Sequence, residues 1–174
     1  MANNLKLWQF GGFVFTSVFG TLLHFAYEWS GNSPLLAPFA AVNESIFEHI
    51  KLLYFPAIIF SVAQWFFGGR DFNNFWCAKL MGSLIGIIII PTLYYTYTGA
   101  LGTYADWFNI TIFFIAAGST YLAEYFILKG NKSYFNQGFC LTLLIAVGIT
   151  FMVLTYLTPH IPFFMDPATG KYGK

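Results

Sequence analysis

Charged side chains are scarce in this chain: Asp, Glu, Lys and Arg make up only 9% of its 174 residues. A soluble domain carries roughly 25%, so there are too few charges to cover a surface exposed to water. Cysteine is almost missing as well. Cys77 and Cys140 each fall inside an apolar segment, with no CxxC or metal-type spacing, so no disulfide framework is expected. The net charge of +1 has no basic run behind it. With no Arg/Lys patch to hold a phosphate backbone, nucleic acid is not an expected partner. No small-residue cleavage site follows the first apolar stretch, which is itself long enough to span, so a cleavable signal peptide is not expected. Internal repeats, low-complexity tracts and interdomain linkers are also missing, which leaves one domain over 1–174.

Apolar residues take up what remains, 57% of the chain, and aromatics alone 22%. Lipid tolerates such a load, and Trp and Tyr collect at membrane interfaces. A spanning helix needs about 20 mostly apolar residues. Five stretches meet that length, at about 7–27, 45–67, 76–97, 107–128 and 136–157, followed by a tail at 158–174. The expected fold is therefore all-α, a polytopic transmembrane bundle with the lipid bilayer as its first partner. Between the first two spans, 31–42 is apolar, bracketed by Pro34 and Pro38, and too short to cross. It reads as an interfacial or re-entrant segment.

Within the third span, Gly82 and Gly86 form a GxxxG pattern that permits close helix approach, although a Gly-rich chain also produces it by chance. Pro91 frees one backbone carbonyl of the same span. Tyr94, Tyr95, Tyr97 and Tyr104 crowd its end and read as an aromatic belt. Lys79 reads as a snorkelling side chain. Glu124 lies inside the fourth span, where pairing with Lys129 or Lys79 is a better reading than a proton relay.

Five spans put the termini on opposite sides. One side receives Lys6, Arg70, Lys79, Lys129 and Lys132, and the other Lys51, Lys171 and Lys174. The positive-inside rule then expects a cytoplasmic N-terminus and an external C-terminal tail.

That topology gathers the three histidines on the outer face. His24 is near the end of the first span, His49 near the start of the second, and His160 just beyond the fifth. Glu28, Glu44, Glu48, Asp106 and Asp166 belong to the same face, against Asp71 and Glu124 on the other. His24 and Glu28 share one helix face through their four-residue spacing, as do Glu44 and Glu48. Imidazole nitrogen and carboxylate oxygen are the usual ligands of zinc and related divalent ions. On this reading His24, Glu28, His49 and His160 are candidate metal ligands, zinc being the favoured ion, with Asp166 closing the site from the tail. Glu28, Glu44 and Glu48 compete for ligand and general-base roles, and Ser45 is a weaker candidate for contacting substrate.

Simpler roles compete with these. Ser45-Ile46-Phe47-Glu48 matches the capping box, and both acids suit the positive end of a helix dipole. Lys51, three residues after Glu48, is placed for an intrahelical ion pair. Asn43-Glu44-Ser45, Asn109-Ile110-Thr111 and Asn131-Lys132-Ser133 match the glycosylation sequon, a pattern short enough to arise by chance.

Two stretches, Leu23-His24-Phe25-Ala26-Tyr27-Glu28-Trp29-Ser30-Gly31-Asn32 and Val42-Asn43-Glu44-Ser45 through Glu48-His49-Ile50-Lys51-Leu52, resemble an uncharacterised family of small bacterial membrane proteins. The ending, Pro159-His160-Ile161-Pro162 with Asp166 to Gly173, is similar to that family's tail. The resemblance implies a bacterial plasma-membrane setting and no particular activity. The seven-helix membrane hydrolases that include alkaline ceramidases offer only an analogy of site chemistry, since the helix count and the histidine spacing differ.

Three functions follow as expectations. The first is metal-assisted hydrolysis or transfer on a lipid or other membrane-associated substrate. The second is a small transporter, or its substrate-binding subunit, for a cation or amine. It is disfavoured by the lack of a repeated half. The third is an accessory subunit whose polar cluster docks a partner.

Overall fold

The computed structural model describes residues 4–103 and 105–173. Tyr104, Lys174 and the side chain of Asp106 therefore lie outside the described residues. Five helices follow in order: α1 (Leu5–Trp29), α2 (Ile46–Phe66), α3 (Phe75–Leu101), α4 (Asp106–Gly130) and α5 (Gln137–Tyr156). Each is long and apolar enough to cross a membrane. No strand occurs among the described residues; Met165 and Tyr172 form a single antiparallel bridge in the tail. The all-α bundle of five spans is thus the observed architecture.

Helix α2 is the core of the bundle, with 67% of its apolar window buried against 22% for α1 and 28% for α5. Helices α1 and α3 pack on either side of it, and α4 closes against both. The outward faces of α1, α4 and α5 carry exposed apolar side chains such as Phe10, Phe126 and Ile145. Such faces suit lipid, which needs no polar cover. Gly82 and Gly86 sit where α3 meets α4. A Cβ on Gly82 would lie 2.9 Å from the Thr120 carbonyl oxygen, and one on Gly86 would lie 2.3 Å from Thr120 Oγ1. The GxxxG pattern therefore marks a real helix contact. Helix α3 continues past Pro91 to Leu101, four residues beyond the span read from hydropathy.

Two expectations are overturned at the end of the bundle where α3 and α5 begin. Cys77 and Cys140 form a disulfide, with their Cα atoms 5.0 Å apart. Their separation of 63 residues gives no local signal, and only the packing of α3 beside α5 brings them together. Lys79 does not snorkel. It is fully buried, paired with Glu124 of α4 and bonded to Gln64 of α2, so three helices converge on one ammonium. Its partner stands on the neighbouring helix, which removes any reason to reach for water.

The 31–42 segment is a run of turns rather than a helix. Leu36, Ala37, Phe39 and Ala40 donate to carbonyls three or four residues back. Ala37 and Ala40 are fully buried, whereas Leu35 is exposed. The segment is tied down by Lys51, whose Nζ donates to the Ala37 carbonyl at 2.9 Å.

Candidate functional site

The start of α2 builds the site. Ser45 is its N-cap, accepting the Glu48 N–H, as the capping box predicts. The Glu48 carboxylate is buried, accepts the Val42 N–H at 2.9 Å, and pairs with Lys51 at 2.8 Å. Lys51 also donates to Thr155 Oγ1 of α5 at 2.8 Å. Glu48 and Ser45 therefore fasten the helix start to its surroundings. Asn43 shapes the preceding turn, its Oδ1 accepting the Ser45 N–H at 2.8 Å and its Nδ2 donating to the Gly173 carbonyl at 2.9 Å. Between these anchors Glu44 projects toward α1.

There it meets two imidazoles. Glu44 Oε2 lies 3.4 Å from His24 Nε2 and 3.6 Å from His49 Nε2. The two rings stand 5.5 Å apart, edge to face. One ligand atom from each of the three residues lies within 4.8 Å of the others. His49 Nδ1 is 2.9 Å from the Ser45 carbonyl oxygen. A carbonyl only accepts, so Nδ1 carries the proton and the Nε2 lone pair is turned to the cluster. That is how metal-binding histidines are usually oriented by a partner behind the ring.

The other candidates stand apart. Glu28 is exposed one turn beyond His24. His160 is exposed and stacked on Tyr172, with centroids 4.8 Å apart, and supplies no atom to the three-residue group. Asp166 Oδ1 accepts the Ala168 N–H at 2.8 Å and so shapes a turn of the tail. The tail reaches the site through Pro167 and Ala168, which line a cavity of about 550 Å³ beside the cluster. Asn109 and Phe113 of α4 form its opposite wall. Sequence reasoning missed this wall, although a lone Asn in the first turn of an apolar helix was a signal. The sequon residues Asn43 and Asn109 are both engaged, Asn109 Oδ1 accepting from Tyr97 at 2.5 Å.

A family model described as a family of unknown function (DUF6512) matches residues 1–174. The chain belongs to this family. No curated protein and no solved structure matches it. For this DUF6512 member, any functional reading rests on the site's own chemistry.

The donor set fits a divalent ion. Two His and one Glu is a combination that catalytic zinc uses, with a fourth position left to water. Two donors about 2.1 Å from one tetrahedral zinc lie about 3.4 Å apart, which matches the 3.4 and 3.6 Å from Glu44 to the two imidazoles. The two imidazole nitrogens, within 4.8 Å of each other, would close on the same ion when it binds. Those distances are long for a hydrogen bond.

The contact from His24 holds the Glu44 carboxyl below its usual range, against partial burial and with help from the charges of His24 and His49. A lowered carboxyl favours the folded state above the ordinary value near 4.5, and that contribution is lost as pH falls through the lowered value. Glu44 is half exposed, so its effect on stability is small. Protons instead compete for the imidazoles, whose ordinary value is about 6.5. Zinc affinity, measured against a chromophoric chelator, is expected to fall by at least about tenfold between pH 7.5 and 5.5, while the melting temperature changes little.

Proposed function

We propose that His24, Glu44 and His49 form a divalent-metal centre, with zinc the favoured ion, and that it serves hydrolysis or group transfer on a membrane-associated substrate. The spacing of the three donor atoms carries this reading. When bound, the ion supplies a Lewis acid and lowers the pKa of a water at its open position. The chain's own residues do the rest. His24 and His49 present neutral nitrogen, the Ser45 carbonyl fixes the His49 ring, and Glu44 balances charge. Glu28, exposed one turn from His24, is a carboxylate on this face available to take up a proton. Ser45 and Glu48 act as positioning residues for the turn that carries Glu44. Activity against ester and amide substrates in proteoliposomes is expected to vanish on chelation and return with zinc. Hydrolysis that survives complete removal of metal would contradict the reading.

A plasma-membrane location in a bacterium is part of this proposal, with the N-terminus in the cytoplasm. Lys51 and Lys79 are buried in ion pairs and so do not count as loop charges. Lys6, Arg70, Lys129 and Lys132 then oppose Lys171 and Lys174. The same end of the bundle carries the Cys77–Cys140 disulfide, a bond that persists in oxidising compartments and is reduced in a cytoplasm, so it weighs against the orientation that the charges favour. In cells lysed directly into denaturant, both cysteines are expected to react with a bulky maleimide without reductant if this end is cytoplasmic. Protection that is released only by a reductant would invert the orientation.

A further inference from the structure

The cavity beside the cluster has a second property, which concerns what enters it. Helices α1 and α4 touch over their inner halves, where Thr16 and Tyr121 share a 2.7 Å hydrogen bond. The contact reaches Gly20, where a Cβ would lie 2.6 Å from the Phe113 ring and 2.7 Å from the Leu52 carbonyl oxygen. Gly20 thus allows α1 to seat against both neighbours and forms the cavity floor. Beyond Gly20 the gap between α1 and α4 becomes the cavity. Its lining includes Phe25 of α1 and Ile110 and Phe114 of α4, which are 43%, 58% and 40% exposed. On two spans of a membrane bundle, large apolar side chains at the rim open onto lipid. Pro167 and Ala168 border the cavity from the tail. His24, Glu44 and His49 form the polar wall.

Among the described residues the lining has no lysine or arginine, so these offer a headgroup phosphate no ammonium or guanidinium partner. Its volume of about 550 Å³ is filled by roughly 18 groups the size of a water or methylene, enough for one acyl chain with a small polar end.

We infer that the cavity admits a neutral single-chain amphiphile sideways from the bilayer between α1 and α4, its carbonyl group reaching His24, Glu44 and His49 while its chain lies along Ile110 and Phe114. This rests on the metal-centre reading for the chemistry, though not for the binding. In the reaction, water adds to the acyl carbon and the bond to the alcohol oxygen or amine nitrogen breaks. A water proton passes to that leaving group and a fatty acid remains.

The test uses zinc-loaded protein in nanodiscs and a monoacylglycerol carrying pyrene on its chain. Trp29 and Trp107 lie one turn from Phe25 and Ile110, so energy transfer from tryptophan to pyrene reports occupancy. Saturable transfer is expected in wild type. It should weaken at least tenfold in Thr21→Phe, which fills the cavity, and in Ile110→Phe, which narrows it from the other side. Both variants should keep their zinc. Unlabelled phosphatidylglycerol should compete poorly. Transfer unaffected by either filling variant, or equal competition by the anionic two-chain lipid, overturns the inference. His49→Ala separates the two readings: it should lose zinc and keep probe binding. Wild type that binds the probe and no zinc would sink the metal centre alone, and wild type that binds zinc and no probe would sink this inference alone.

Discussion

Replacing Lys79 by methionine is expected to destabilise the bundle by about 3–5 kcal/mol, the usual cost of removing one member of a buried ion pair. The Glu124 carboxylate is 1% exposed and takes its ion-pair partner from α3. Without Lys79 it is stranded between α3 and α4, in a region where water cannot take over. Gln64 Oε1, which accepts from the same ammonium, loses its donor too. The damage should come from the unpaired groups and not from lost packing, since methionine fills most of the lysine's volume. The double change Lys79→Met with Glu124→Leu is therefore expected to recover most of the loss. Denaturation in mixed micelles, followed by circular dichroism, measures both. If the double variant were no more stable than the single one, the pair would not be what holds α2, α3 and α4 in register.

Two glutamates four residues apart are expected to behave in opposite ways. Glu48→Gln leaves the Lys51 ammonium buried without a counter-charge, with only neutral oxygens such as the Ala37 carbonyl and the Thr155 hydroxyl to accept from it. It should cost about 3 kcal/mol or more and loosen the 31–42 segment, because Lys51 ties that segment to α2 and α5. Glu44→Gln removes a half-exposed carboxylate from the cluster. It should leave the melting temperature nearly unchanged while zinc affinity falls by at least about 100-fold, the upper end of what even outer-shell changes cost. Thermal melts beside chelator competition distinguish the two. A Glu48→Gln protein that melts like wild type and loses its metal would move Glu48 into the metal site and contradict the geometry described here.

The five spans were legible in the sequence because each is a run of apolar residues longer than a bilayer is thick. The convergence of His24, Glu44 and His49 was legible because topology alone brings the end of one span beside the start of the next. Harder to read was which acid turns inward. Glu44 and Glu48 share the spacing of one helix face, yet α2 begins only at Ile46, so Glu44 sits on a turn whose direction Asn43 sets. The S-x-x-E pattern and Lys51 did point to Glu48 as a structural group. His160 was placed with the cluster because it follows the fifth span. The tail then folds back, pairing Met165 with Tyr172, and Tyr172 takes up the imidazole. The disulfide and the Lys79–Glu124 pair join residues far apart in sequence, and such partners emerge only from packing.

The most direct test of the metal centre is elemental analysis of the detergent-purified protein, beside His24→Ala and His49→Ala. Wild type is expected to carry about one divalent ion per chain, zinc foremost, and both variants to lose it while keeping the helical content of the bundle. Wild type that stays empty of zinc, iron and manganese after reloading would contradict the metal centre and leave the cluster as a hydrogen-bonded contact between α1 and the turn before α2.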